Sequence, residues 1–136
     1  MAKITEHNGT DQITQHALDQ FTGTEQYFKH WLCKSFVYTD GVQFIGANGG
    51  YWIIDLIASY QTSEVQPDKL NFPKRIRDLD FQLWKITPTD QGGFIATLQE
   101  DSNTEILIQQ EGEYTDLKIP IEMWLTNGVL YLPSEH

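Results

Sequence analysis

The dipeptide Asn127-Gly128 constrains the fold more tightly than any other feature of the chain. Both positions tolerate the positive φ of a two-residue type I′ turn, and apolar residues alternate on either side of them. Such a turn pairs Thr126 with Val129, Leu125 with Leu130, Trp124 with Tyr131 and Met123 with Leu132. In that register Ile121, Met123, Leu125, Leu130 and Leu132 share one face, and Glu122, Trp124, Val129 and Tyr131 share the other. A slip of one residue would invert every side chain, so the pattern specifies its own register. Trp124 opposite Tyr131 adds an aromatic cross-strand pair.

Upstream of this hairpin the same period of two recurs. Residues 81–87 carry apolar side chains on both faces, Phe81 and Leu83 against Trp84 and Ile86, which suits a central strand. Asp90-Gln91-Gly92-Gly93 and Asp101-Ser102-Asn103 are turns, with strands predicted at 94–99 and 105–111.

Before residue 61 the period is helical. Thr10 is a candidate N-cap, and Ile13, Ala17, Leu18 and Phe21 predict a helix over 11–21. Residues 25–37 are ambiguous; Tyr27, Phe28, Trp31 and Leu32 favour a short helix, followed by an extended piece at 35–38. Thr39-Asp40-Gly41 either caps a helix or turns a hairpin, and Asn48-Gly49-Gly50 is a break. The run from Tyr51 to Tyr60 predicts a helix buried on most sides, with Asp55 its polar exception. Residues 61–80, with Pro67 and Pro73, read as a polar connection containing four of the nine basic residues. Together these predict one α+β domain spanning 1–136, in which N-terminal helices pack on one face of a C-terminal antiparallel β-meander. Residues 1–9 are expected to be a loose tail, and an open meander edge allows a homodimer.

Composition narrows the function classes. A single cysteine, Cys33, excludes an intrachain disulfide, and the polar start and the lack of a long apolar run predict a cytoplasmic chain with no membrane partner. The formal charge of −10 is uneven. Residues 1–77 hold eight acidic and seven basic side chains; residues 78–136 hold eleven acidic and two basic ones, a net of −9. Direct nucleic-acid binding is therefore not expected, and a basic protein partner is favoured.

No cofactor motif is present. Gly46, Gly49 and Gly50 lack phosphate-loop spacing, and no second ligand pair completes a zinc site with His30 and Cys33. No G-x-S-x-G elbow surrounds any serine. Asp40, Asp55 and His30 are the weak catalytic candidates, if the fold brings them into one cleft. Asp40 also suits an ordinary turn, and Asp55 either faces solvent or is buried and hydrogen-bonded. Trp31, Tyr38 and Trp52 are candidate pocket aromatics, though aromatics equally fill a small core. Glu105, Glu111 and Glu113 mark the candidate acidic binding surface.

Five stretches carry a family resemblance: Phe21-Thr22-Gly23-Thr24-Glu25, Tyr38-Thr39-Asp40-Gly41-Val42, Tyr51-Trp52-Ile53-Ile54-Asp55, Phe81-Gln82-Leu83-Trp84-Lys85, and Asn127 through Glu135. Across residues 18–135 the chain resembles a family of small uncharacterised bacterial proteins, seen in cyanobacteria and proteobacteria. The resemblance implies a bacterial source and a stand-alone domain, and it implies no activity and no functional residue. The leading expectation is a non-enzymatic binding or regulatory domain whose acidic sheet half meets a protein partner. The rivals are a small hydrolase with a carboxylate/His cleft and an acidic mimic of nucleic acid.

Overall fold

The computed structural model describes residues 9–62 and 75–136. Most of the tail, and the part of the polar connection that holds Pro67, Pro73, Lys69 and Lys74, lie outside the described residues. The fold is mixed α+β. In chain order the elements are α1 (Gln15–Asp19), β1 (Phe28–Lys29), β2 (Val37–Tyr38), α2 (Asp40–Ile45) and α3 (Tyr51–Gln61). Then come β3 (Phe81–Pro88), β4 (Phe94–Gln99), β5 (Ile106–Gly112), β6 (Ile121–Thr126) and β7 (Val129–Tyr131). One seven-stranded sheet runs β1-β2-β7-β6-β3-β4-β5.

The C-terminal hairpin has the register its turn chemistry demands. Trp124 pairs with Tyr131, Leu125 with Leu130 and Thr126 with Val129. Asn127 and Gly128 both adopt positive φ, 53° and 76°. β4 and α3 also begin and end close to where periodicity places them.

The sheet is not a simple meander. β6 returns to pair with β3, so β3 lies between β4 and β6, and β2 adds to β7 in parallel. The cause is legible in β3 itself: Leu83 and Trp84, on opposite faces, are both 0% exposed, and a strand apolar on both faces is stable only inside a sheet. The N-terminal half supplies strands as well as helices: β2 falls within the extended piece expected at 35–38, and β1 stands where a short helix was expected.

Residues 25–37 are not helical: Phe28–Lys29 and Val37 are strand, and the chain bends between them. Phe28 stacks on its cross-strand neighbour Tyr38, with ring centroids 5.8 Å apart. The ring nitrogen His30 Nδ1 accepts the backbone N–H groups of Leu32 (3.1 Å) and Cys33 (2.9 Å), which removes those donors from any helical ladder. α1 is likewise shorter than its apolar spacing suggests. Thr10 is buried and gives its hydroxyl to Asp116 (3.2 Å), so Thr14 becomes the cap, accepting from the Ala17 N–H at 3.1 Å.

At Thr39-Asp40-Gly41 the helix-cap reading holds. Thr39 caps α2, and Glu135 reaches back to accept from the Thr39 hydroxyl (2.6 Å) and the Gly41 N–H (3.0 Å). The chain kinks between α2 and α3 at Asn48 and Gly49. Gly49 has a φ of +97°, and a Cβ there would stand 2.6 Å from the Gly9 carbonyl oxygen, so a side chain is excluded on both counts.

The core lies between α3 and one sheet face. Trp84 and Ile86 stand opposite Met123 and Ile121 on one side and Leu98 and Ala96 on the other, all buried. Ile53, Ile54, Ile57 and Ala58 of α3 pack onto that layer. Trp52 meets Phe94 (4.7 Å between centroids) and Tyr60 meets Trp84 (5.4 Å). At the end of α3 two buried amides close on each other. Gln61 Nε2 donates to Gln82 Oε1 (2.7 Å), and Gln82 Nε2 donates to Gln61 Oε1 (3.0 Å). Gln82 also binds the Ile76 carbonyl and accepts from the Trp84 indole, so every polar atom of its amide is used. Among the described residues no helix is long and apolar enough to cross a membrane.

Candidate functional site

Two regions hold the candidate residues. The first joins the β1–β2 connection to the start of α3. His30 and Asp55 meet there across 25 residues of sequence, with Nε2 to Oδ1 at 2.7 Å. Because Nδ1 accepts two backbone N–H groups, the ring proton sits on Nε2 and is donated to Asp55. Both ring nitrogens are therefore engaged and the ring is 5% exposed, which leaves no lone pair turned toward a substrate. This geometry ties a loop to a helix. It does not resemble a poised general base, whose lone pair must reach a reacting proton.

Asp40 belongs to a different contact. Its carboxylate accepts the Glu25 N–H (2.9 Å) and its own N–H is donated to Thr24 Oγ1 (2.9 Å), so it pins residues 24–25 to the start of α2. Cys33 is buried and its sulfur lies 3.1 Å from the Ser35 hydroxyl. Only the backbone N–H of Cys33 meets His30, so the two do not form a thiol–imidazole pair.

The candidate aromatics separate. Trp31 is 73% exposed beside His30, whereas Tyr38 is buried and Trp52 is half-buried against Phe94. Burial pushes the Tyr38 phenol above its ordinary value of 10.0, and the neighbouring Tyr51 and Asp55 push it further in the same direction. Tyr51 holds the Gln43 side chain through its hydroxyl, at 3.0 Å.

The second region is the β5 edge. Among the described residues β5 ends the strand order and pairs with β4 alone. Glu111 lies on the strand, Glu105 immediately precedes it and Glu113 immediately follows it, and all three are exposed. The pairing shifts by one residue between Leu98 and Gln99. That bulge lets Leu107 and Ile108 both turn inward and leaves Ile106 50% exposed. Tyr114 is 75% exposed just beyond the strand. Sequence reasoning missed Ile106 and Tyr114 as surface groups. An alternating pattern does not reveal a bulge, though Ile106-Leu107-Ile108 as three consecutive apolar residues is its trace.

At the opposite end β1 is only two residues long and carries exposed Lys29, both common devices for blunting an edge. β5 has seven residues and no lysine, and its bulge lies at one end, between Ile106 and Ile108. At about 3.4 Å per residue it offers roughly 24 Å of edge.

A family model matches residues 12–136, nearly the whole of this fold. The chain belongs to the family of unknown function DUF6876. No curated protein and no solved structure matches it. Membership in DUF6876 brings no activity, so function in this member is argued from the chemistry of its surfaces. Among its described residues no three His, Cys, Asp or Glu side chains are grouped to hold a metal ion.

Proposed function

We propose that this DUF6876 member is a non-enzymatic binding domain whose β5 edge receives an extended, basic segment of a protein partner. One observation carries the reading: a seven-residue strand at the end of the sheet is flanked by Glu105, Glu111 and Glu113 and bears exposed Ile106. An added strand gains main-chain hydrogen bonds along the edge. Lysine or arginine at alternate positions meets the glutamates, and an apolar residue meets Ile106. The net charge of −9 after residue 77 attracts such a segment from a distance. The engaged nitrogens of His30 support this reading over the hydrolase.

The test is binding of an extended peptide of alternating lysine and valine, measured by fluorescence anisotropy. Three exposed charge contacts contribute together about 1–3 kcal/mol, so the Glu105→Gln, Glu111→Gln, Glu113→Gln triple variant is expected to bind about fivefold to a hundredfold more weakly. Raising the salt should weaken the parent more steeply than the variant. Equal affinity of parent and variant would sink the proposal.

A further inference from the structure

We propose that the two ends of the sheet recognise each other, so that the β5 edge of one copy receives β1 of a second copy. The pairing rests on the β5 edge being the partner-binding surface, and it names the partner as the same chain. Among the described residues β1 and β5 close the strand order at opposite ends, β1 pairing with β2 and β5 with β4. Five of the six large apolar side chains exposed among the described residues flank these two edges: Tyr27, Trp31 and Leu32 beside β1, Ile106 and Tyr114 at β5. Exposed aromatic groups of this kind are common anchors of protein interfaces.

Register decides which charges the two edges present. Trp84 and Ile86 face the core, so Phe81 and Thr87 lie on the opposite face of β3. Thr87 stands across from Ile95, and Ile95 across from Glu111, which puts Glu111 on that outer face. In the other direction Phe81 stands across from Thr126, Thr126 from Val129, Val129 from Val37 and Val37 from Lys29. Lys29 therefore lies on the same face as Glu111, at the other end of the sheet, and both are exposed. A sheet continued from β5 to β1 of the next copy brings these opposite charges to one side of the joint. Contacts between two β5 edges set glutamate against glutamate, and contacts between two β1 edges set lysine against lysine, so charge selects the unlike pairing. The flanking sequence agrees: residues 26–39 contain Lys29 and Lys34 and no acidic residue, and residues 105–117 contain no basic one. Lys29 thus blunts β1 toward edges of its own kind and suits it to an acidic one. Because each copy uses two different surfaces, one joint leaves a free edge at either end, and association continues past the dimer.

The experiment is sedimentation equilibrium of the full chain up to millimolar concentration, at low and high salt. The expected result is an average mass that rises with concentration beyond that of a dimer, and that falls back toward the monomer in high salt. Two charge-reversed variants decide the surfaces: Lys29→Glu with Lys34→Glu, and Glu111→Lys with Glu113→Lys. Each replaces attraction by repulsion at the joint and should associate with itself at least about fourfold more weakly than the parent. Mixed in equal amounts they restore opposite charges at every joint, and the rise in mass should return. All four positions are exposed, and an unchanged melting transition confirms that each variant is folded. An excess of the lysine–valine peptide should compete for β5 and lower the mass of the parent. A parent that stays monomeric, a mass that stops at a dimer, or a mixture no more associated than its components each overturns the self-pairing. Peptide binding by a strictly monomeric chain would do so while leaving β5 as the binding edge, whereas loss of peptide binding removes the edge itself.

Discussion

Replacing Gln82 with leucine tests how the core is held together. Gln82 is 2% exposed, and its amide serves Gln61, Trp84 and the Ile76 carbonyl. Leucine has nearly the same volume, so the cost is dominated by what loses a partner. The Gln61 amide, the Trp84 indole N–H and the Ile76 carbonyl would all be left without their Gln82 hydrogen bonds. At about 1–3 kcal/mol for each buried orphan the loss is about 3–9 kcal/mol. The apolar side chain recovers about 1–2 kcal/mol, leaving a net of about 1–8 kcal/mol. The assay is urea denaturation, reading the midpoint at an unchanged slope. In the Gln61→Leu, Gln82→Leu double variant one of the three orphans disappears with its residue. The double variant is therefore expected to be more stable than Gln82→Leu alone, with a coupling of at least about 1 kcal/mol. A single-variant cost below about 1 kcal/mol, or strict additivity in the double variant, would refute the reasoning.

Three further outcomes follow from contacts elsewhere. His30→Ala strips the acceptor from two backbone N–H groups and should cost about 2–4 kcal/mol in chemical denaturation; His30→Asn, whose short side chain also accepts from the following turn, should recover part of that. Tyr38 and Tyr131 both have phenols raised above 10.0 by burial, so their neutral forms are favoured in the folded state. Their contribution is complete below the unfolded value and is lost as pH rises through the folded one, so stability should fall in alkali. The Tyr38→Phe, Tyr131→Phe pair should flatten that fall in urea midpoints compared across alkaline pH. Glu135→Ala removes an acceptor shared by Thr39, Gly41 and Leu132 and should cost about 1–3 kcal/mol, read by thermal denaturation.

The acidic site is partly legible in the sequence. Glu105, Glu111 and Glu113 fall on or beside one predicted strand because charge and alternation are both local. That this strand ends the sheet is not local, since β6 could equally have followed β5 in a meander. Instead β6 pairs with β3, and among the described residues β5 pairs with β4 alone. His30 and Asp55 stand out by residue type alone. Their 2.7 Å contact, and the two N–H groups that occupy Nδ1, depend on how residues 30–33 turn.

A window of about ten residues suffices for some of this fold and fails for the rest. The Asn127-Gly128 turn sets the last hairpin, the period of two marks β3, β4 and β5, and the broad apolar run makes α3. The charge imbalance also needs no fold to be seen. Tertiary packing chose which strands are neighbours, and it left residues 25–34 without a helix despite aromatics spaced for one. It also shortened α1 by engaging Thr10 with Asp116, and it closed the Gln61–Gln82 pair. These outcomes share one physical reason. Each depends on a partner far away in the chain, and the burial and hydrogen bonds gained with that partner outweigh local preferences of a few tenths of a kcal/mol per residue.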